Sequence, residues 1–203
     1  WTCPASVEWH PYVDGGRRYV AVSEKDSGVR VYDQRKLSSN GSGGAAPVRT
    51  FHLAPHVLQE CHFSPSGTHL VAATRGTEGM GELRVWRWDD GDMASSGGVQ
   101  SGPSFLSSQS VYVGHTGPCY VARFSPDGTR LATGGADALV GLWDVETMTC
   151  VRTTASSAGG GRKKFVRSVA YSHDSRLVAS CSEEDGVDVA DAETGESAVA
   201  LTS

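Results

Sequence analysis

Apolar and polar residues alternate in short runs along this chain, and the runs recur. In "ALVGLWD", residues 138 to 144, Val140 and Leu142 alternate with their neighbours, and in "ELRVWR", residues 82 to 87, Leu83 and Val85 do the same. A period of two is the mark of a strand with one packed face. Four segments share one order: an apolar-aromatic run, a turn with Pro or Asp, a run of small residues, an acidic turn, and an alternating run. They begin at Ser6, Leu58, Cys119 and Val166. Aligned on Trp9, Phe63, Phe124 and Tyr171, successive copies start 54, 61 and 47 residues apart. From that first aromatic to the strand-end position at Tyr32, Trp86, Trp143 and Ala190 the distances are 23, 23, 19 and 19. The strands hold their spacing and the loops absorb the insertions.

A fourth run follows each strand end: "VRTFHL", "SVYVGH", "TCVRTT" and "ESAVAL". No segment repeats at helical spacing, so the pattern predicts an all-β chain of four four-stranded units. The segments "SSNGSGGAA" (38–46), "GDMASSGGVQSGPSFLSSQS" (91–110) and "ASSAGGGRKK" (155–164) are too rich in Gly and Ser to pack. Each interrupts a repeat whose strands continue on both sides. They read as loops within one domain over 1–203, with repeats at about 1–53, 54–115, 116–155 and 165–203.

Composition narrows the function classes. With 203 residues, 38% apolar and 20% charged, the chain is long enough to bury a core. A net charge of -5 leaves no overall basic field for nucleic acid. Nowhere do eighteen apolar residues run together, so no membrane-spanning helix is expected. Five cysteines, Cys3, Cys61, Cys119, Cys150 and Cys181, are an odd number without a C-x-x-C pair, and are expected to be reduced thiols on strands. The chain opens at Trp1 without a Met and closes inside an expected outer strand, so it is read as a fragment.

A repeat of four short strands with Gly-His early and Trp-Asp late resembles the WD40 family of β-propellers. The third copy carries the pattern fully, in Gly114-His115, Thr133, Asp137 and Trp143-Asp144. Tyr32-Asp33, Trp86-Arg87 and Ala190-Asp191 stand at the Trp-Asp position of the others. The resemblance implies four blades of a ring that usually closes with seven. The stretch from Gly114 to Glu196, with "ADALVGLWD", "CVR" and "VRSVAYSHD", is similar to two consecutive blades of the WD40 subunit of the THO complex. That likeness implies a nuclear, non-catalytic scaffold of the THO/TREX machinery, which couples transcription and mRNA processing to mRNA export. Partners would be the large helical THO subunits, with RNA contact shared with them and indirect, no small-molecule substrate and no cofactor. Another WD40 adaptor, a chromatin-associated or ubiquitin-ligase substrate receptor gripping a peptide at the rim, is the alternative. The sequence shows neither an aromatic cage nor an arginine-accepting slot for it.

His115, Thr133 and Asp137 are the residue types of a hydroxyl-His-acid triad. The family pattern makes them, with Trp143, a buried hydrogen-bond chain, and no G-x-S-x-G elbow accompanies them. "HLAPHVLQECHF" gathers His52, His56, Cys61 and His62, but Pro55 breaks a helical presentation of the first two and adjacent strand residues face opposite ways. No metal site is expected. "RGTEGMGE", Arg75 to Glu82, lacks the glycine order of a phosphate loop and reads as a lengthened turn. Family practice places partner contacts on the rim carrying that turn. The matching positions are Lys25, Ala136 and Glu183, with Cys119 beside them and Arg162, Lys163 and Lys164 in a joining loop.

Overall fold

The computed structural model describes residues 4–11, 19–24, 28–37, 46–88, 109–154, 164–183 and 186–201. The first sheet holds β1 (Pro4–Trp9), β2 (Tyr19–Glu24), β3 (Gly28–Asp33) and β4 (Arg49–His52). The second holds β5 (Val57–Phe63), β6 (His69–Arg75), β7 (Gly81–Arg87) and β8 (Gln109–His115). In the third are β9 (Cys119–Phe124), β10 (Arg130–Gly135), β11 (Val140–Asp144) and β12 (Thr149–Thr154). The fourth contains β13 (Val166–Tyr171), β14 (Leu177–Ser182), β15 (Val187–Asp191) and β16 (Ser197–Leu201). Every sheet is an antiparallel meander in chain order. These are the four blades of an all-β propeller.

The first strands β1, β5, β9 and β13 form the inner edge, each packing on the next in turn. No comparable contact joins β13 back to β1 among the described residues, so the four blades make an open arc. Three apolar layers fill the junctions. Tyr19, Ala21, Val29 and Val31 meet Leu58, Phe63, Leu70 and Trp86 between the first two sheets. Val71, Leu83, Phe124, Leu131 and Trp143 fill the second junction, and Ala132, Val140, Leu142, Val166 and Val178 the third. Alternation thus places one set of side chains on each face, and both faces of the middle sheets are buried.

Where no sheet follows, the same alternation leaves apolar groups exposed. Val7 and Trp9 on β1 are 59% and 53% exposed, and Val199 and Leu201 on β16 are 49% and 57% exposed. Trp9 aligns with the buried Phe63, so repeat position alone does not decide its burial.

Among the described residues one element departs from the all-strand expectation: a single helical turn, α1 (Gln34–Leu37). Asp33 caps it, its Oδ1 accepting the Arg35 amide at 3.0 Å while the Arg35 guanidinium reaches both carboxylate oxygens. Arg35 thereby holds Asp33 below the usual carboxylate range. The tight β9–β10 turn has Gly128 at φ +75, and the equivalent β13–β14 turn has Ser175 at φ 63. Its hydroxyl explains the serine, because Ser175 Oγ accepts the Asp127 amide at 3.1 Å across the junction.

Candidate functional site: a buried bracket and the rim above it

Two neighbouring sheets position four polar groups through their strand ends. His115 closes β8 of the second sheet, Thr133 on β10 faces Gly141, Trp143 on β11 faces Leu131, and Asp137 sits in the turn joining β10 and β11. Trp143 Nε1 donates to Thr133 Oγ1 at 2.9 Å. Thr133 Oγ1 lies 2.8 Å from His115 Nε2, and His115 Nδ1 lies 2.9 and 3.1 Å from the two Asp137 oxygens. Asp137 can only accept, so His115 donates from Nδ1 and leaves Nε2 to accept the threonine hydroxyl. Each donor is used once along the order indole, hydroxyl, imidazole, carboxylate. Asp137 further accepts the amides of Thr116 at 3.0 Å and Leu139 at 3.2 Å, fixing the joining loop and its own turn.

Close backbone approach makes room for this chain. A Cβ on Gly135 would sit 2.6 Å from His115 Nδ1, and one on Gly141 would sit 2.8 Å from Thr133 Oγ1. Gly134 instead faces Val166 and Val121, so the paired glycines serve two neighbours, the bracket and the fourth blade. Thr133, His115 and Trp143 are 0%, 3% and 3% exposed. A hydroxyl that deep, already accepting from an indole, has no path to a substrate carbonyl.

At the strand ends, Asp144 and Asp191 do the work of turn caps. Asp144 Oδ1 accepts the Thr147 amide at 2.8 Å and its hydroxyl at 2.7 Å, which lowers the carboxyl's pKa. The Thr194 and Glu193 amides do the same for Asp191.

The rim positions separate. Lys25, Arg162 and Lys163 lie outside the described residues. Cys119 does not belong to an accessible rim: it is 0% exposed, packed with Val71, Ala73 and Leu83, and burial pushes its thiol up to about 12. Ala136 is half-buried in its turn, its amide bonded to Pro118 O at 2.9 Å. Glu183 and Lys164 are exposed and meet, Lys164 Nζ donating to Glu183 O at 3.3 Å. Of the histidine-cysteine group, Cys61 is buried in the first junction, His62 contacts Glu8 at 3.2 Å, and His56 Nε2 accepts Arg84 Nη2 at 2.7 Å. Cys61, Cys119, Cys150 and Cys181 are free thiols, and Cys3 lies outside the described residues.

Two clusters emerge that residue types alone did not announce. Along the inner edge, Arg123 pairs with Glu60 and lies 3.8 Å from Glu8, which His62 also contacts. The Phe124 amide donates to His62 Nδ1 at 3.4 Å, so His62 offers Nε2–H to Glu8. Glu60 is nonetheless raised, because burial outweighs Arg123. At the rim, Arg167 lies over the Tyr120 ring at 4.2 Å and the Phe165 ring at 5.3 Å, and pairs with Glu183. The available signal was register: Gln59, Tyr120 and Arg167 each stand four residues before the aligned aromatic.

Four antiparallel four-stranded blades around their first strands, with this bracket between the second and third, define a β-propeller, and the WD40 family pattern matches part of it. The family model described as WD domain, G-beta repeat matches residues 106–144 and 148–187. Among curated relatives, THO complex subunit 3 of Arabidopsis thaliana is 35% identical over 97 residues, covering 48% of this chain and 29% of that protein. WD repeat-containing protein AAC3 of Dictyostelium discoideum is 32% identical over 143 residues, 57% of this chain and 29% of the relative. U3 small nucleolar RNA-associated protein 12 of Saccharomyces cerevisiae is 26% identical over 185 residues, 87% of this chain and 16% of the relative. The chain therefore spans under a third of the length of each of these three.

Proposed function

We propose that this protein is a non-catalytic interaction scaffold, the propeller component of a THO/TREX-type assembly that acts in the nucleus on mRNA processing and export. The observation that carries the reading is the 97-residue similarity to THO complex subunit 3. The buried bracket supports its non-catalytic side, since the triad-like set His115, Thr133 and Asp137 is enclosed and bonded within the fold. His115, Thr133, Asp137 and Trp143 are then structural, and Glu183, Lys164 and Ala136 belong to the face that meets partners. The partners are the large helical THO subunits, with RNA reached through them. The chain is then one domain over 1–203 with repeats near 1–53, 54–115, 116–155 and 165–203, a reading supported by the four sheets in chain order.

Affinity purification of the tagged protein from nuclear extract, followed by mass spectrometry, tests the assignment. Recovery of THO subunits in stoichiometric amounts is the expected result. Their absence would remove the assignment and leave the propeller. The second reading, an adaptor that grips a peptide at the rim, is favoured by the Tyr120–Arg167–Phe165 cluster.

A further inference from the structure

Each blade finishes on an outer strand whose far edge meets no other strand among the described residues: β4, β8, β12 and β16 each stand at the end of a sheet. Such an edge offers a row of unpaired N–H and C=O groups, and a charge on the strand is a common guard against pairing with a second chain. β4 carries Arg49 and β12 carries Arg152, so both are guarded. β8 has no Asp, Glu, Lys or Arg, but its last two residues are drawn in, Gly114 against the Trp143 indole and His115 into the bracket. β16, "SAVAL", has neither charge nor proline, and all five of its residues are exposed.

This strand is also symmetric about its middle residue. Ala198 and Ala200 flank Val199, and a two-fold axis through Val199 lays a second copy of the strand antiparallel to the first. Val199 then meets Val199, Ala198 meets Ala200, and Ser197 meets Leu201, while the charged Glu196 falls beyond the last of these pairs. Within the fourth sheet Val199 stands opposite Val189 and Leu201 opposite Val187, so these four side chains share one face. Across the axis the apolar row runs on from Val189 and Val199 to the same two residues of the second copy.

We infer that β16 is a self-pairing edge whose partner is β16 of a second copy of this chain, joining the two fourth sheets, four strands from each, into one antiparallel sheet. A foreign extended peptide satisfies the same main-chain groups, but the symmetry about Val199 matches only a second copy. One short strand from each side falls below the roughly 1,000 Å² of a stable interface, so the pair is weak, with a dissociation constant on the order of 100 µM. Pairing doubles the faces available to partners and makes a scaffold bivalent. The pairing itself stands without the scaffold reading.

The test is sedimentation velocity of the full 203-residue chain from about 5 to about 500 µM, a range that brackets that constant. A monomer that passes to a dimer as concentration rises is expected. Val199→Lys sets like charges opposite each other and is expected to weaken the dimer at least about ten-fold, as is Val199→Glu. An equal mixture of the two variants is expected to recover the dimer, because the axis at Val199 sets the lysine against the glutamate. Val111→Lys on β8 and Trp9→Lys on the exposed face of β1 are expected to leave the dimer unchanged. Melting curves check that each variant is folded. A monomer at every concentration, a dimer indifferent to Val199→Lys, a mixture that stays monomeric, or a dimer lost in Val111→Lys or Trp9→Lys overturns the pairing. Species that grow beyond the dimer overturn it too, since they mark end-to-end joining through the open faces of the arc.

Discussion

The second and third blades hold a tryptophan at the same place by two different chemistries. Trp86 pairs with Leu70 and Trp143 with Leu131, and both indoles are nearly buried. Behind Trp143 stand Thr133, His115 and Asp137, with Gly114 against the indole. At the positions matching Thr133, His115 and Gly114 stand Ala72 on β6 and, on β4 of the first sheet, the exposed His52 and Phe51. Phe51 packs on Trp86 with ring centroids 4.9 Å apart. The aromatic stack needs no polar partner, so the histidine is released to solvent. Where the hydroxyl is present, every polar group behind it must be paired, and the glycine makes way for the closer approach.

This comparison is broken most strongly at the indoles. We expect Trp143→Ala to cost about 3–5 kcal/mol, with Trp86→Ala in the same range, read from denaturant midpoints. A cost under about 1 kcal/mol at Trp143 would mean that the indole does not fill the junction.

Next in size is the hydroxyl. Thr133→Val leaves the Trp143 N–H and His115 Nε2 without partners, and about 2–4 kcal/mol is expected, while Thr133→Ser keeps most of the stability. The mirror change, Ala72→Thr, buries a hydroxyl in the apolar version of the site and is expected to cost about 1–3 kcal/mol. Equal tolerance of both changes would erase the distinction between the blades.

A smaller effect sharpens the aromatic side: Phe51→Leu keeps apolar volume and loses the ring contact, for about 0.5–1.5 kcal/mol. Acid titration should expose the turn caps. Asp33, Asp144 and Asp191 have lowered pKa values, so the stability they contribute is present above the usual carboxylate range and lost as pH falls through the depressed values. Glu60 runs the other way, since a raised carboxyl favours the fold on the acid side. Denaturant midpoints are expected to be flat near neutrality and to fall in strong acid, with a shallower fall in Asp144→Asn. A midpoint that rises on acidification would contradict the caps.

Strand periodicity was legible because it comes from local pleating, and the runs named from sequence lie on β4, β8, β12 and β16. The bracket was legible because its four letters sit together in one copy. The cluster of Tyr120, Phe165, Arg167 and Glu183 at the rim was not, for two reasons. Tyr120, the Phe165–Arg167 pair and Glu183 come from three separate segments and are ordinary residues one by one. Bulges at Gly134–Gly135 against β9 and at Val166–Ser168 also shift the register that brings Tyr120 and Arg167 to the rim. The single turn of α1 escaped because four residues carry no periodicity. Cys119 was misplaced on the surface because a strand's first residue can face either way, and here it faces the second junction.

The Thr133 hydroxyl, His115 imidazole and Asp137 carboxylate tie the third sheet to the last strand of the second. Nuclear magnetic resonance of the indole and imidazole nitrogens tests it most directly. The Trp143 indole N–H is expected to be strongly protected from hydrogen exchange, and His115 to be the tautomer protonated at Nδ1. Rapid exchange at that indole, or a His115 that carries its proton on Nε2, would contradict it.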